Sequence, residues 1–229
     1  NSLNLPAQII TPRLSVNSIK TTPGFKYNPT MEYPVYMVPA LLVMLLTQLC
    51  GFLPALNIVQ EKESGTIEQM NVTPVKKFTF ILAKLIPHGV IGFIVLTSCF
   101  GVAYLAYGMV PRGSLFTIYL FASILVLGIS GFGLVISNYA KTIQQAMFMM
   151  FFFVLSFIFL SGLYTPVTSM PDWAQMISNF SPLKYFIQVM RRVYLTGSTF
   201  NEMLLQFYAL TAFALVFNIW AVISYRKTS

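Results

Sequence analysis

The chain has 229 residues, 56% of them apolar and 9% charged, where a water-soluble fold carries about 25% charged residues. It lacks the polar atoms to cover itself in water, so its solvent is lipid. Collagen-like, disordered and disulfide-scaffold classes are excluded by the absence of a repeat, the low charge and the presence of two cysteines. The net charge of +8 comes from basic residues scattered along the chain singly or in pairs, which suits headgroup contact and builds no nucleic-acid groove.

The first residues carry no initiator Met and no basic-then-apolar leader, which reads as a trimmed or partial chain. Beyond them, charge-free intervals locate the membrane. No formal charge falls between Glu32 and Glu61, Lys84 and Arg112, Arg112 and Lys141, Lys141 and Asp172, or Glu202 and Arg226. Each interval exceeds the ~20 residues a helix needs to cross ~30 Å of hydrocarbon. Five spans are expected, near Tyr36 to Ile58, Phe80 to Tyr107, Ser114 to Ser137, Ile143 to Leu163 and Met203 to Tyr225, in an all-α membrane protein. Cys50 and Cys99 lie inside such runs and read as small buried hydrophobes.

An odd number of spans puts the two chain ends on opposite sides of the membrane. Lys62, Lys76, Lys77, Lys141, Arg226 and Lys227 gather on one side; Arg13, Lys20, Lys26, Arg112, Lys184, Arg191 and Arg192 gather on the other. This is nearly a tie under the positive-inside rule. Discounting the interfacial segment and the N-terminal tail favours the first side as cytoplasmic.

Two connecting segments carry information. Gln60 to Phe78 holds Glu61, Glu63 and Glu68, half of the chain's acids. Thr66 with Gln69 fits a capping box and Pro74 stops or kinks the helix, so a short polar helix is expected there. It reads as a solvated connector or as a docking element for a soluble partner. Tyr164 to Asn201 is too long for a turn and too apolar for a solvated loop. Pro171 and Pro182 suit first helical turns, and Ser181 suits an N-cap. From Pro182 to Tyr194 a helix would run ~20 Å, too short to span. Leu183, Phe186, Ile187, Met190 and Tyr194 fall on one face, with Lys184, Gln188, Arg191 and Arg192 on the other. An interfacial or re-entrant helix is expected, its basic face snorkelling to headgroups or, in the alternative reading, serving substrate passage.

Catalytic chemistry has little to build on. His88 is the sole histidine, so neither a multi-His zinc site nor an H-E-x-x-H helix is available. Between Pro87 and Gly89 it reads as a packed imidazole at a kink. The dipeptide Gly-Lys does not occur, which removes the phosphate-cradling P-loop. Gly131-Phe132-Gly133 lies within a span, where small residues let helices approach closely. Ion coupling needs an ionisable residue at membrane depth, and His88 apart the charge-free intervals lack one. Their polar residues include Thr47, Gln48, Asn57, Thr97, Ser98, Ser123, Ser130, Gln144, Gln145, Ser156 and Asn218, which suit interhelical hydrogen bonds or contact with an amphipathic substrate.

The stretch Glu61-Lys62-Glu63-Ser64-Gly65-Thr66-Ile67-Glu68-Gln69, with Thr73-Pro74, resembles the signature that follows the second span in type-2 ATP-binding-cassette transporter permeases of the bacterial exporter class. Tyr27-Asn28-Pro29, Met37-Val38-Pro39, Lys84-Leu85-Ile86-Pro87, Ser137 to Gln145, Leu160-Ser161-Gly162 with Pro166, and Met170-Pro171 through Ser181-Pro182 to Arg191 follow in family order. The resemblance covers residues 27 to 229. Family members have six spans, the first followed by an extracellular domain. It therefore implies an N-terminally truncated permease, with residues 1–32 the end of that domain or a linker and 33–229 the transmembrane domain.

The resemblance further implies a half-transporter in the inner (plasma) membrane that pairs with a second permease, identical or not, and rests on a separate cytoplasmic ATPase. No cofactor or metal is expected in this chain, ATP and Mg being bound by that partner. Glu61, Glu63, Gly65, Thr66 and Glu68 would belong to a cytoplasmic coupling helix. Pro171, Trp173, Pro182, Lys184 and Arg191 would belong to extracellular re-entrant helices at the exit. The expected role is export of an amphipathic or lipophilic substrate: a drug, a lipid or a lipid-linked saccharide. A non-transporting membrane scaffold and an ion-coupled secondary transporter are the competing readings.

Overall fold

The computed structural model describes residues 33–66 and 77–225. Residues 1–32, the expected domain end or linker, lie outside them, as do Glu68, Gln69 and Pro74 of the acidic segment. Among the described residues seven α-helices occur: α1 (Tyr33–Glu63), α2 (Lys77–Tyr107), α3 (Leu115–Tyr139), α4 (Ile143–Leu160), α5 (Asp172–Ser178), α6 (Pro182–Arg191) and α7 (Leu204–Ser224). Five of these, α1 to α4 and α7, are long and apolar enough to cross a membrane. The charge-free intervals thus locate the spans, because hydrocarbon penalises a charge whatever the helix packs against. The first span departs from expectation. It continues past Ile58 to Glu63, so Glu61 and Glu63 end a spanning helix and do not sit on a separate polar one.

The core is organised around α3. Its apolar residues are buried along most of its length, with α7 and α1 packed against it, α4 lying mainly on α1 and α2 on α1 and α3. Small residues set these distances. A methyl group at Gly131 would fall 2.7 Å from the Asn218 amide on α7, and one at Gly133 would collide with the Gly51 carbonyl oxygen on α1. Without a hydrophobic drive between helices in lipid, such close packing and interhelical hydrogen bonds supply the association energy.

The span hydroxyls and amides divide between two uses. Ser130 Oγ donates to the Cys50 carbonyl at 2.9 Å, Asn218 Nδ2 to the Leu127 carbonyl at 3.0 Å, and Thr97 Oγ1 meets the Tyr119 hydroxyl at 2.6 Å, each tying two helices. Thr47, Ser98, Ser123 and Ser156 instead donate to carbonyls three or four residues back on their own helix. Cys50 is buried and Cys99 half-buried, both unpaired with another sulfur. Pro39 and Pro54 fall inside α1 and Pro87 inside α2. Transmembrane helices tolerate such interruptions where neighbours satisfy the freed backbone groups. His88 packs as a buried imidazole, its Nδ1 against the Lys84 carbonyl one turn back.

Candidate functional site: the two ends of the bundle

At one end the acidic signature stitches helices together. The Glu61 carboxylate forms an ion pair with Lys84 on α2. The Lys62 ammonium donates to the Ser137 carbonyl in the last turn of α3. Glu63 Oε1 accepts the backbone N–H of Ile143, the first residue of α4, at 2.8 Å. Three consecutive residues therefore bind α1 to α2, α3 and α4. The chemistry suits each partner: an ammonium at a helix C-terminus and a carboxylate at a helix N-terminus both oppose the end of the macrodipole they face. Thr142 Oγ1 completes the α4 cap by accepting Gln145 N–H at 3.2 Å. The phenol of Tyr225, just past α7, is pushed up by burial and then by the Glu61 charge. The second Glu61 oxygen is buried with no hydrogen-bond partner among the described residues.

Gly65 then stops α1. Its φ of +73° is left-handed, and its N–H returns to the Lys62 carbonyl at 3.1 Å. Nothing lies within 4 Å of where a side chain would start, so glycine is needed here for its backbone freedom alone. Thr66 is exposed beyond the turn, its hydroxyl 3.0 Å from that of Ser64.

The opposite end is built from the segment between α4 and α7. Ser161 caps the C-terminus of α4, and Gly162 leaves it at φ +79°. Leu160-Ser161-Gly162 is thus a helix exit. A 3-10 turn at Val167–Ser169 leads to α5, whose N-cap is Pro171, while Pro182 takes the first position of α6. Trp173 is exposed at the start of α5, as an interfacial aromatic would be.

The apolar face of α6 is as the spacing requires: Leu183, Phe186, Ile187, Met190 and, beyond the helix, Tyr194 are all buried. The α-helix stops at Arg191, and a π-turn over Arg192–Thr196 carries Tyr194. That wider turn docks the α2–α3 connection, where Arg112 N–H donates to the Tyr194 carbonyl at 3.1 Å and the Tyr194 hydroxyl to the Met109 carbonyl at 3.0 Å.

One expectation for this segment is corrected. Ser181 stands at the N-cap position of α6 but does not cap it with its side chain; its hydroxyl donates to the Phe157 carbonyl on α4 at 3.0 Å. The polar face of α6 meets protein oxygens. Lys184 Nζ donates to Asn179 Oδ1 at 2.6 Å and Ser178 Oγ at 2.9 Å, and burial pushes its amine below the ordinary lysine value. The Arg191 guanidinium donates to the Gly162 carbonyl at 3.3 Å and stands 3.7 Å over the Tyr36 ring on α1. Gln188 Oε1 accepts from Gln206 at 3.2 Å, and Arg192 donates to the Glu202 carbonyl at 3.2 Å.

Sequence reasoning missed Lys84 and Tyr36 as partners. Lys84 was legible, since the first acid after one span and the first base inside the next share an end of an antiparallel hairpin. The Tyr36 pairing had no such signal.

Among the described residues, an all-α bundle with five spans, a signature segment locking one end and short helices at the other defines a polytopic membrane protein. The chain belongs to the family described as ABC-2 family transporter protein, whose profile matches residues 2–223. It is 31% identical over 175 residues, 76% of this chain and 48% of the relative, to a protein of Escherichia coli named "Probable multidrug ABC transporter permease YbhR". It is 28% identical over 176 residues, 75% of this chain and 46% of the relative, to the protein there named "Probable multidrug ABC transporter permease YbhS". To the "Inner membrane transport permease YhhJ" of that organism it is 24% identical over 206 residues, 89% of this chain and 54% of the relative. The chain spans about half the length of these curated relatives. It is a multi-pass inner-membrane protein of this family.

Proposed function

We propose that this chain is the membrane part of an ATP-driven exporter: with a second permease subunit it forms the path for an amphipathic or lipophilic substrate, and a separate cytoplasmic ATPase supplies the energy. The acidic end faces the cytoplasm and the α5–α6 end faces outward. Carrying the reading is the Glu61-Lys62-Glu63 clamp, which gives a force applied at the signature segment a direct route into four helices. A displacement delivered beyond Gly65 reaches α2, α3 and α4 together, as access switching by rigid bodies requires. The names of YbhR and YbhS make drug-like amphiphiles the first substrate class to try.

The test is ATP hydrolysis by the co-purified ATPase in proteoliposomes with the full-length permease, measured with and without candidate substrates. Substrate stimulation is expected in wild type and lost in Gly65→Val, whose left-handed backbone costs an ordinary residue about 1–2 kcal/mol while leaving the spans inserted. Full stimulation in a correctly inserted Gly65→Val protein would sink the coupling role of this segment.

A further inference from the structure

An apolar cleft of about 650 Å³ lies between α4 and α7. Phe153 and Phe157 form one wall and Phe213 and Phe217 the other, with Asn179 and Tyr185 at the end nearest α5 and α6. Along α7 it runs from Ala209 to Phe217, about 12 Å at 1.5 Å per residue. One leaflet of a ~30 Å hydrocarbon core is about 15 Å deep, so the cleft is short enough to lie within one leaflet. Its walls are aromatic and aliphatic side chains, a surface that accepts hydrocarbon.

A charge stands beside the polar end: Lys184 does not line the cleft but bonds Asn179, which does. Lys184 Nζ reaches Asn179 Oδ1 at 2.6 Å and Ser178 Oγ at 2.9 Å. An ammonium has three N–H donors, and two are engaged, both by neutral oxygens. Among the described residues the ion pair is Glu61–Lys84 at the far end of the bundle, so no carboxylate there balances Lys184.

We propose that this cleft holds the acyl chains of an anionic phospholipid from the leaflet on the α5–α6 side, with its phosphate on Lys184. Hydrocarbon competes with hydrocarbon here, so the aromatic walls supply shape, while the preference for an anionic lipid comes from the lysine. The site stands whether or not the chain exports anything.

The full-length permease is reconstituted in phosphatidylcholine vesicles with phosphatidylglycerol or phosphatidylcholine bearing a photoactivatable diazirine on an acyl chain, and crosslinked residues are mapped. Labelling is expected at Phe153, Phe157, Phe213 and Phe217, with phosphatidylglycerol favoured about fivefold, the worth of one surface lysine. Lys184→Gln removes the preference. Ala212→Phe lowers cleft labelling by both lipids but leaves it unchanged at the outward Phe148 and Phe152, which report ordinary boundary lipid and an intact fold. Equal labelling of cleft and boundary positions in wild type, or a preference that survives Lys184→Gln, would overturn the proposal. So would a photoreactive side chain at position 213 that captures another span or a second copy of the chain in place of lipid.

Discussion

Reversing the charge at Glu61 separates its structural work from any it does on a partner. Glu61 and Lys84 retain about a fifth of their side-chain exposure, 22% and 19%. Their pair therefore lies between an exposed one, contributing ~0–1 kcal/mol, and a buried one, whose breaking costs ~3–5 kcal/mol. Glu61→Lys sets two ammonium groups against each other and should cost about 1–3 kcal/mol by that interpolation. For a chain of this size each kcal/mol lowers the melting temperature by about 2–4 °C, giving a fall of roughly 2–12 °C in detergent. The exchange Glu61→Lys with Lys84→Glu rebuilds the pair and should recover most of the loss. Substrate-stimulated ATP hydrolysis is then measured on the same two proteins. If the acid at 61 serves only the α1–α2 contact, the exchange restores stimulation; if the ATPase reads its charge, stability returns and stimulation does not. A Glu61→Lys protein as stable as wild type, or an exchange no better than the single change, would refute the clamp.

Gly133→Ala should destabilise by about 1–3 kcal/mol, because its methyl meets the backbone carbonyl of Gly51 and α1 must move off α3; Gly101→Ala, facing open space, is the thermal-melt control. Leu183→Asp buries an unpaired charge in the fully buried face of α6 at about 3–5 kcal/mol; loss of the monodisperse peak in size-exclusion chromatography is expected, and a normal peak would contradict the packing. Cysteines placed at the exposed Ser64 and Thr168, in a background without Cys50 and Cys99, should label oppositely with an impermeant thiol reagent on whole cells. Thr168 should react and Ser64 should not; the reverse pattern would invert the orientation.

What the sequence determined by itself was everything governed by the solvent. Hydrocarbon penalises a charge and an unpaired backbone group in any tertiary context, so charge-free runs located all five spans, and the period of Leu183, Phe186, Ile187 and Met190 located the buried face of α6. Gly131-Phe132-Gly133 was legible as a place where helices approach closely. The partner of each polar group was decided by tertiary structure. Glu61 meets Lys84, 23 residues on, and Glu63 meets a backbone N–H 80 residues on, distances over which a local pattern carries no information. For the same reason α1 runs on to Glu63: the carboxylates that read as a separate polar helix find cations and helix ends beside them once α2, α3 and α4 are in place. Lys184 and Arg191 were readable as a basic face, but whether they reach water, lipid or protein depended on where Asn179, Gly162 and Tyr36 came to lie, and that is fixed by packing.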